Sequence, residues 1–327
     1  MLSDRTLTAG WRGLRGAVAL PQLLLVLAMF LWGGNFVAGK ALASDVAPVT
    51  ISFWRWSLAL LVLLPFSFGS LRRHRILLLA HWRLIAATGA TGIAGYSLCL
   101  YQSLTSTSAI NALLFISTAP LLITLANRLI FHDRGTAWQT IGTLVSSLGA
   151  VVVIAHGDAT RLLALRLNRG DLWILAGVLI WVTYSVLLRQ RPAALPTLPF
   201  FTASVAAGVL QMVPLVAWQF ARGERLEITA PTVAGLLYVA VGVSAVGYAC
   251  WTRAIAALGP ERAGTFLHLI PIFGTLMATI FLGERLAPYH LVGAALVAGG
   301  LRLAHVRYAP VVPVAHTPQR QQARRRA

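Results

Sequence analysis

The sequence predicts an all-α membrane protein in which ten transmembrane helices form two inverted five-helix repeats. Three observations support this: the composition is 57% hydrophobic and only 11% charged, the apolar runs are about 20 residues long, enough to cross a bilayer, and the two halves of the chain are similar. Soluble domains carry about 25% charged residues, so an ordinary soluble protein is excluded. Transmembrane strands would alternate in polarity over about ten residues, and these runs do not alternate.

Ten apolar segments are separated by short polar or basic links. Their approximate limits are 21–42, 48–69, 82–104, 108–131, 136–155, 171–189, 196–220, 231–257, 261–282 and 288–306. The links "STSA" and "LGPE" are short enough to predict tight helix hairpins. The first apolar run is longer than the core of a usual signal peptide, so we expect it to be retained as the first span.

The predicted organisation has four parts: a cytoplasmic tail over 1–20, a first repeat over 21–157, a second repeat over 170–306, and a basic C-terminal tail over 307–327. The C-terminal tail is rich in proline and arginine, which is typical of disorder. Shifting the chain by 149 residues places Trp32 on Trp181, and a shift of 151 places Pro120 on Pro271. An odd number of helices per repeat inverts the second copy, a plan typical of secondary transporters.

The distribution of basic residues predicts the orientation. With ten spans, nineteen of the Lys and Arg residues fall on one side and seven on the other. Cytoplasmic loops carry an excess of these residues, so both termini are expected in the cytoplasm. The net charge of +18 comes from residues scattered singly between apolar runs. We therefore expect a lipid bilayer, and no nucleic acid, as a partner.

The stretch "LWGGNFVAGK" interrupts the first apolar segment. Trp32, Asn35 and Gly39 share one helix face, and the Asn35 amide cannot face lipid without losing its hydrogen-bond partners. This face is therefore expected to point inward. Two interpretations remain open: simple helix packing, or the wall of a substrate cavity with Trp32 as a flat apolar contact.

Arg55 is the only basic residue predicted well inside a span. An intramembrane arginine is costly and normally faces a partner or a water-filled path. Arg55 either snorkels to the interface or pairs with a substrate carboxylate or with carbonyls at a helix C-terminus. Its counterpart in the second repeat is Ser204, so the charge is not duplicated.

Pro120 and Pro271 lie mid-span at equivalent positions. Each removes a backbone hydrogen bond and is expected to kink its helix. Matched interruptions in the two halves of a transporter indicate a central binding site, although packing alone could also explain them. His268 lies near the second kink, where it is either a hydrogen-bonded structural residue or a proton carrier.

The remaining candidate substrate-binding residues are aromatic or amide side chains of spans three, six and eight. They are Tyr101, Gln102, Trp181, Tyr184, Tyr248 and Trp251. Aromatic rings with convergent polar groups suit a small amphipathic ligand. Enrichment of aromatic residues at the membrane interface is the alternative.

Several classes of chemistry lack a signature in the sequence. All nine acidic residues lie in tails, links or span ends, so coupling to an ion would require His268 or another device, or be absent. No phosphate-binding glycine loop, zinc motif or serine nucleophile motif is present. We therefore expect no catalytic residue, no metal site and no cofactor. Cys99 and Cys250 both lie in apolar runs and are interpreted as packing residues.

Glycines recur seven residues apart in spans five and ten, at Gly142 and Gly149 and at Gly293 and Gly300. Such pairs suit close helix packing. The two spans carry few aromatic residues. They are therefore interpreted as scaffold or as the contact of a homodimer.

Four motifs resemble the EamA-type drug/metabolite transporter superfamily: "LWGGNFVAGKAL", the arginine of "WRWSLALL", "TSTSAINALLFISTAPLL" and "FLGERL". The resemblance covers roughly residues 20–306. It implies a bacterial ten-helix inner-membrane transporter, commonly an exporter of amino acids or related metabolites. The residues that match recurring family positions are Trp32, Asn35, Arg55, Pro120, Pro271 and Glu284. The first repeat departs from the pattern in "FHDR", where His132 replaces a glycine.

The sequence thus predicts a secondary transporter that exports a small metabolite, with amino acids among the candidates, by alternating access. Arg55 would orient an anionic group, and the aromatic residues would form an apolar wall. Two alternatives are kept. One is an uptake permease or facilitator for a sugar or nucleotide derivative. The other is a membrane sensor or assembly subunit that transports nothing.

Overall fold

The structure is a computed structural model that describes residues 5–107, 109–132, 136–155, 157–160, 168–223, 226–282 and 287–305. These residues form helices joined by short links, with no strand among them. The predicted all-α class is therefore confirmed. Glu284 and the predicted C-terminal tail lie outside the described residues, as does Ser108 of the "STSA" link.

Helices form at each predicted apolar segment, and we number them in chain order. They are α1 (Arg5–Asp45), α2 (Pro48–Arg73), α3 (Trp82–Ser106), α4 (Ala109–Ser117 and Ala119–Phe131), α5 (Ala137–Ile154), α6 (Arg169–Arg189), α7 (Thr197–Ala221), α8 (Ala230–Leu258), α9 (Pro260–Thr265, Phe266–His268 and Leu269–Leu282) and α10 (Pro288–His305). A short helix, Arg75–Ala80, precedes α3.

Seven described helices are long and apolar enough to cross a membrane, judged by length and composition. They are α1 from Leu20 onward, α2, α3, α5, α6, α7 and α8. The apolar helix Phe115–Phe131 is shorter. Large apolar side chains such as Leu61, Phe66 and Leu210 are exposed on these helices. Such surfaces suit contact with lipid tails and support a protein that crosses the membrane several times.

Two helices contain a wide, π-helical segment at matching places. The segment is Gly89–Gly95 in α3 and Tyr238–Gly247 in α8. A Cβ atom on Gly92 would lie 2.3 Å from the Tyr184 ring, so the α3 segment contacts α6 where only glycine fits. π-helical turns are rare in proteins, and those that occur are often found at functional sites.

Both predicted proline interruptions lie in the first turn of a helix. The chain turns at Thr118, and Pro120 is the second residue of the helix that follows. Pro271 follows the 3₁₀ segment Phe266–His268 in the same way. Proline is well tolerated at a helix start because its missing N–H would have no partner there. The two interruptions are thus breaks with a new helix start, rather than kinks within one helix.

The link between α8 and α9 consists of Gly259, whose φ of +82° with ψ of 158° is a conformation open to glycine alone. At the end of α4, His132 adopts a left-handed φ of 54°. Glycine is the residue that favours this position at the end of a helix. The departure from the family pattern in "FHDR" therefore falls on a residue with strained backbone.

The helices of the two halves interleave. Helix α1 packs on α8 and α9, whereas α6 packs on α3 and α4. Helix α2 packs on α7, and α5 packs on α10. Each half therefore buries its first helix in the other half, and the centre of the molecule lies between α1 and α6.

The glycines of α5 and α10 pack against each other within the chain. A Cβ atom on Gly142 would lie 2.5 Å from the Gly300 carbonyl oxygen, and one on Gly149 would lie 2.7 Å from the Gly293 oxygen. These faces are occupied, so the predicted homodimer contact would have to use other faces of the two helices. Exposed residues such as Leu148 and Leu291 lie on those faces.

Candidate functional site

A small cavity, with a volume of about 20 Å³, lies at the centre of the helices. Six helices contribute its lining: Trp32, Asn35 and Phe36 from α1, Arg55 from α2, Tyr96 from α3, Trp181 from α6, Val243 and Tyr248 from α8, and Ile270 from α9. Small-molecule sites usually measure about 300–1,000 Å³. A ligand of ordinary size would therefore require some of these side chains to move.

Arg55 is buried in this cavity, with only 1% of its surface exposed. Its Nε donates to the Ser244 hydroxyl at 2.7 Å, and its Nη1 donates to the Tyr101 hydroxyl at 2.8 Å. The guanidinium also lies 5.0 Å from the centre of the Trp56 ring. The snorkelling interpretation is therefore wrong, because the side chain points to the protein interior. No described residue forms an ion pair with Arg55.

A chain of hydrogen bonds runs from Arg55 through four helices. The Tyr101 hydroxyl on α3 accepts from Arg55 and donates to the Asn35 Oδ1 on α1 at 3.0 Å. The Ser244 hydroxyl accepts from Arg55 and donates at 2.7 Å to the Val239 carbonyl, inside the wide segment of α8. Tyr101, which was predicted from the sequence, and Ser244, which was not, thus hold the guanidinium in a fixed orientation.

An aromatic cluster forms the other wall of the cavity. The ring centres of Trp32 and Trp181 lie 5.3 Å apart, nearly edge to face. Trp251 contacts both of these rings at 5.4 Å, and Tyr248 lies 5.0 Å from Trp32. Aromatic pairs at this spacing are favourable. The matched tryptophans of the two halves therefore meet at the centre.

Several polar atoms of the aromatic residues have no hydrogen-bond partner among the described residues. They are the indole nitrogens of Trp56, Trp181 and Trp251 and the hydroxyl groups of Tyr184 and Tyr248. All five side chains are at least nine-tenths buried. By contrast, the Trp32 indole donates to the Val243 carbonyl at 3.0 Å. Buried polar groups are normally satisfied, so these five atoms remain available for a hydrogen bond to a bound solute or water.

His268 is fully buried outside the cavity lining. One ring nitrogen lies 3.1 Å from the Thr265 carbonyl oxygen. The other lies 3.2 Å from the Ser117 carbonyl oxygen and 3.0 Å from the Ser147 hydroxyl. The ring therefore joins the breaks in α4 and α9 and also contacts α5, which agrees with the structural interpretation of this residue.

Residues 19–155 and 168–305 each match the EamA-like transporter family. The chain belongs to this family. The resemblance predicted from the sequence motifs is thereby confirmed, and the EamA-like chain is a transporter rather than an enzyme. In the part of the chain that the structure describes, no group of His, Cys, Asp and Glu could hold a metal ion.

Relatives of this EamA-like chain carry transporter names. It is 25% identical to the uncharacterized transporter YyaM of Bacillus subtilis, over 82% of this chain and 88% of the relative. It is 28% identical to a probable terminal-alkyne amino-acid exporter of Streptantibioticus cattleyicolor, over 86% and 92%. It is 24% identical to a probable amino-acid metabolite efflux pump of Salmonella typhimurium, over 85% and 92%.

A solved crystal structure shares the fold of this EamA-like chain. The TM-score is 0.71 and the sequence identity 19%, with 88% of this chain and 97% of the other chain covered. At this identity the likeness concerns the fold alone.

The structure distributes the predicted site residues of the EamA-like chain over three places. Five line the cavity: Trp32, Asn35, Arg55, Trp181 and Tyr248. Three lie directly behind the lining and contact it: Tyr101, Tyr184 and Trp251. Four lie outside it: Gln102, Pro120, His268 and Pro271.

Sequence reasoning did not identify Ser244 and Trp56 in this EamA-like site. Ser244 is a small polar residue inside the glycine-rich stretch "VGVSAVG", and its hydroxyl fixes Arg55. Trp56 follows Arg55 directly and contacts both the guanidinium and the Tyr248 ring. The sequence signal for Trp56 is its place next to Arg55. The signal for Ser244 is its spacing of four residues from Tyr248, which puts the two on one helix face.

Proposed function

We propose that this EamA-like transporter is a secondary transporter that exports a small metabolite across the bacterial inner membrane by alternating access. Amino acids are the class that the names of two relatives suggest. The observation that carries the proposal is Arg55, a buried cation without an ion-pair partner among the described residues, at a cavity walled by aromatic rings. A cation in this setting binds the carboxylate of a solute.

The proposed architecture has ten crossings in two inverted repeats, with both termini in the cytoplasm. The interleaved packing supports it, because α1 and α6 occupy equivalent places against α8–α9 and α3–α4. The matched Trp32 and Trp181 rings support it as well, since their contact brings equivalent positions of the two halves together. Such a pair of halves can exchange their packing so that the cavity opens to one side and then to the other.

The test is counterflow of labelled amino acids in proteoliposomes that contain the purified chain. We expect uptake of at least one amino acid, with loss of that uptake in Arg55→Met, which keeps the side-chain length and removes the charge. Arg222→Met is the matched control, because Arg222 is exposed at the end of α7 and stacks on Trp218. Unchanged uptake in Arg55→Met would overturn the role of Arg55.

Vesicle orientation tests the proposed direction. Export predicts accumulation in inside-out membrane vesicles and not in right-side-out vesicles.

A pH gradient imposed in the same assay tests coupling to protons, with His268→Gln as the variant. Permeation of a phosphorylated sugar or nucleotide derivative is less well supported, because a phosphate calls for several cations and the described residues place one cation, Arg55, in the cavity lining. A sensor or assembly subunit would show no flux of any solute.

A further inference from the structure

The charge of the cavity lining is unbalanced. Of the nine lining residues in the described part of the chain, Arg55 alone carries a formal charge, and none of the nine is a carboxylate. Two of its nitrogens bind the neutral hydroxyl groups of Ser244 and Tyr101, which satisfy hydrogen bonds and leave the charge in place. Burying an uncompensated charge is costly. The lining is therefore complementary to a solute that brings one negative charge.

The guanidinium is also placed to receive an anion. Its third nitrogen, Nη2, has no hydrogen bond to any residue in the described part of the chain. The hydrogen bonds to Ser244 and Tyr101 hold the planar group, so a carboxylate would meet a donor that is already oriented. Arginine binds carboxylates through such fixed, charge-assisted hydrogen bonds.

Several hydrogen-bond donors around the cavity have no partner among the described residues. The Trp181 indole and the Tyr248 hydroxyl line it and have no partner among the described residues, and the Trp251 indole lies directly behind. The obvious acceptors are engaged, because the Asn35 oxygen accepts from Tyr101 and the Val243 carbonyl accepts from Trp32. An ammonium group carries three N–H donors and no acceptor, so it can use the tyrosine hydroxyl groups but not the indole nitrogens. A carboxylate can accept from both kinds of group.

We propose that the cavity selects organic monoanions, namely carboxylic acids with an apolar, ring-bearing body and no ammonium group. This inference rests on the proposed transport function and names its substrate class. A monoanion neutralises Arg55, whereas a zwitterionic amino acid adds an ammonium and leaves the site with a net positive charge. The aromatic cluster supplies the apolar wall for the body of the solute. Cation–π contact with the same rings is the route by which an ammonium could still bind.

Three probes with the same phenylpropyl skeleton separate these possibilities. They are 3-phenylpropionate, a monoanion; phenylalanine, a zwitterion; and 3-phenylpropylamine, a monocation. Binding to the full chain in lipid nanodiscs is measured by titration calorimetry at neutral pH. We expect 3-phenylpropionate to bind at least tenfold more tightly than phenylalanine, and 3-phenylpropylamine to bind more weakly than both.

Variants of Arg55 test whether this side chain causes the order of affinities of the three probes. In Arg55→Met the advantage of 3-phenylpropionate over phenylalanine should disappear, whereas Arg55→Lys should keep part of it. Arg222→Met, with its exposed arginine removed, should keep the full wild-type ranking. The ranking measured on the wild-type chain tests the proposal even where an Arg55 variant fails to fold.

Equal or tighter binding of phenylalanine overturns the proposal, and so does the absence of binding by all three probes. Neither result decides the transport function, which is tested separately by counterflow. Counterflow of amino acids together with a phenylalanine preference would retain the transporter and reject the monoanion class. Binding of 3-phenylpropionate without counterflow of any solute would reject transport and retain the class of ligand.

Discussion

Arg55 on α2 donates to the Tyr101 hydroxyl on α3 at 2.8 Å, and that hydroxyl donates in turn to Asn35 on α1. One phenolic oxygen thus connects three helices and fixes a buried guanidinium. Hydrogen bonds to charged groups contribute about 1.5–3 kcal/mol each. The position of the cation at the cavity therefore depends on a residue that does not line it.

Tyr101→Phe removes this connection while keeping the ring. We expect the free energy of unfolding to fall by about 1.5–3 kcal/mol, because Arg55 loses an acceptor and Asn35 loses a donor. Transport should fall with it, since the guanidinium is no longer oriented. Thermal unfolding in detergent and counterflow in proteoliposomes measure the two effects. Thr183→Val is the control, because its exposed hydroxyl bonds only the Leu179 carbonyl of its own helix. Wild-type behaviour of Tyr101→Phe would contradict the role given to this hydroxyl.

Gly142→Ala should separate α5 from α10. The added Cβ atom would lie 2.4 Å from the Ala304 backbone nitrogen and 2.5 Å from the Gly300 oxygen, and backbone atoms cannot give way cheaply. Overpacking of this kind costs about 1–3 kcal/mol. Gly299→Ala is the matched control, because a Cβ atom there meets nothing within 4 Å. The melting temperatures of the two variants test this. A Gly299→Ala variant as unstable as Gly142→Ala would show that the contact is not the cause.

His132→Gly should stabilise the protein. A left-handed backbone costs a residue with a Cβ atom about 1–2 kcal/mol, whereas glycine loses about 0.5–1 kcal/mol through its greater freedom in the unfolded chain. The balance favours glycine by roughly 0.5–1 kcal/mol. His132→Ala keeps the Cβ atom and should show no such gain. A higher melting temperature for the glycine variant alone is the expected result, and equal gains for both variants would exclude backbone strain as the cause.

Lys40→Met should loosen the end of α3. The Lys40 ammonium on α1 donates to the Leu104 and Thr107 carbonyl oxygens at 2.6 and 3.3 Å. Leu104 lies in the last turn of α3 and Thr107 follows its last residue, where intrahelical donors run out. We expect a loss of about 1.5–3 kcal/mol of stability, together with faster hydrogen exchange around Thr105–Thr107. Lys40→Arg should restore most of it, and unchanged exchange in Lys40→Met would contradict this assignment.

Sequence reasoning located the helices because apolar runs of bilayer length leave few alternatives. It also placed Trp32 and Asn35 on an inward-facing side of the first helix, since an amide cannot face lipid cheaply. For Arg55 it left the interior and the membrane interface open. Gln102 shows the limit of the method. Neighbouring residues point about 100° apart on a helix, so the inward direction of Tyr101 turns Gln102 away from the cavity. A stretch of sequence alone does not reveal which of two adjacent residues faces inward.

The π-helical segments of α3 and α8 could not be predicted from the sequence either. Whether a run such as "GATGIAG" forms an ordinary or a widened turn depends on what packs against it, here the Tyr184 ring on Gly92. The same holds for the unpartnered donors of Trp181 and Tyr248, which become visible only when their surroundings are known. The homodimer, the number of crossings and the orientation stay predictions.

The π-helical segments of α3 and α8 also affect where residues can be inserted into or deleted from these helices. In a regular helix an inserted residue rotates everything after it by about 100°, which would turn a cavity-facing residue toward lipid. A π-helical turn takes up an extra residue locally. The segment is seven residues long in α3 and ten in α8. The offset between the halves is accordingly 149 residues before the segments, for Trp32 and Trp181, and 152 directly after them, for Tyr96 and Tyr248. Insertions and deletions among relatives should therefore concentrate in Gly89–Gly95 and Tyr238–Gly247, where a helix can gain or lose residues and keep its faces.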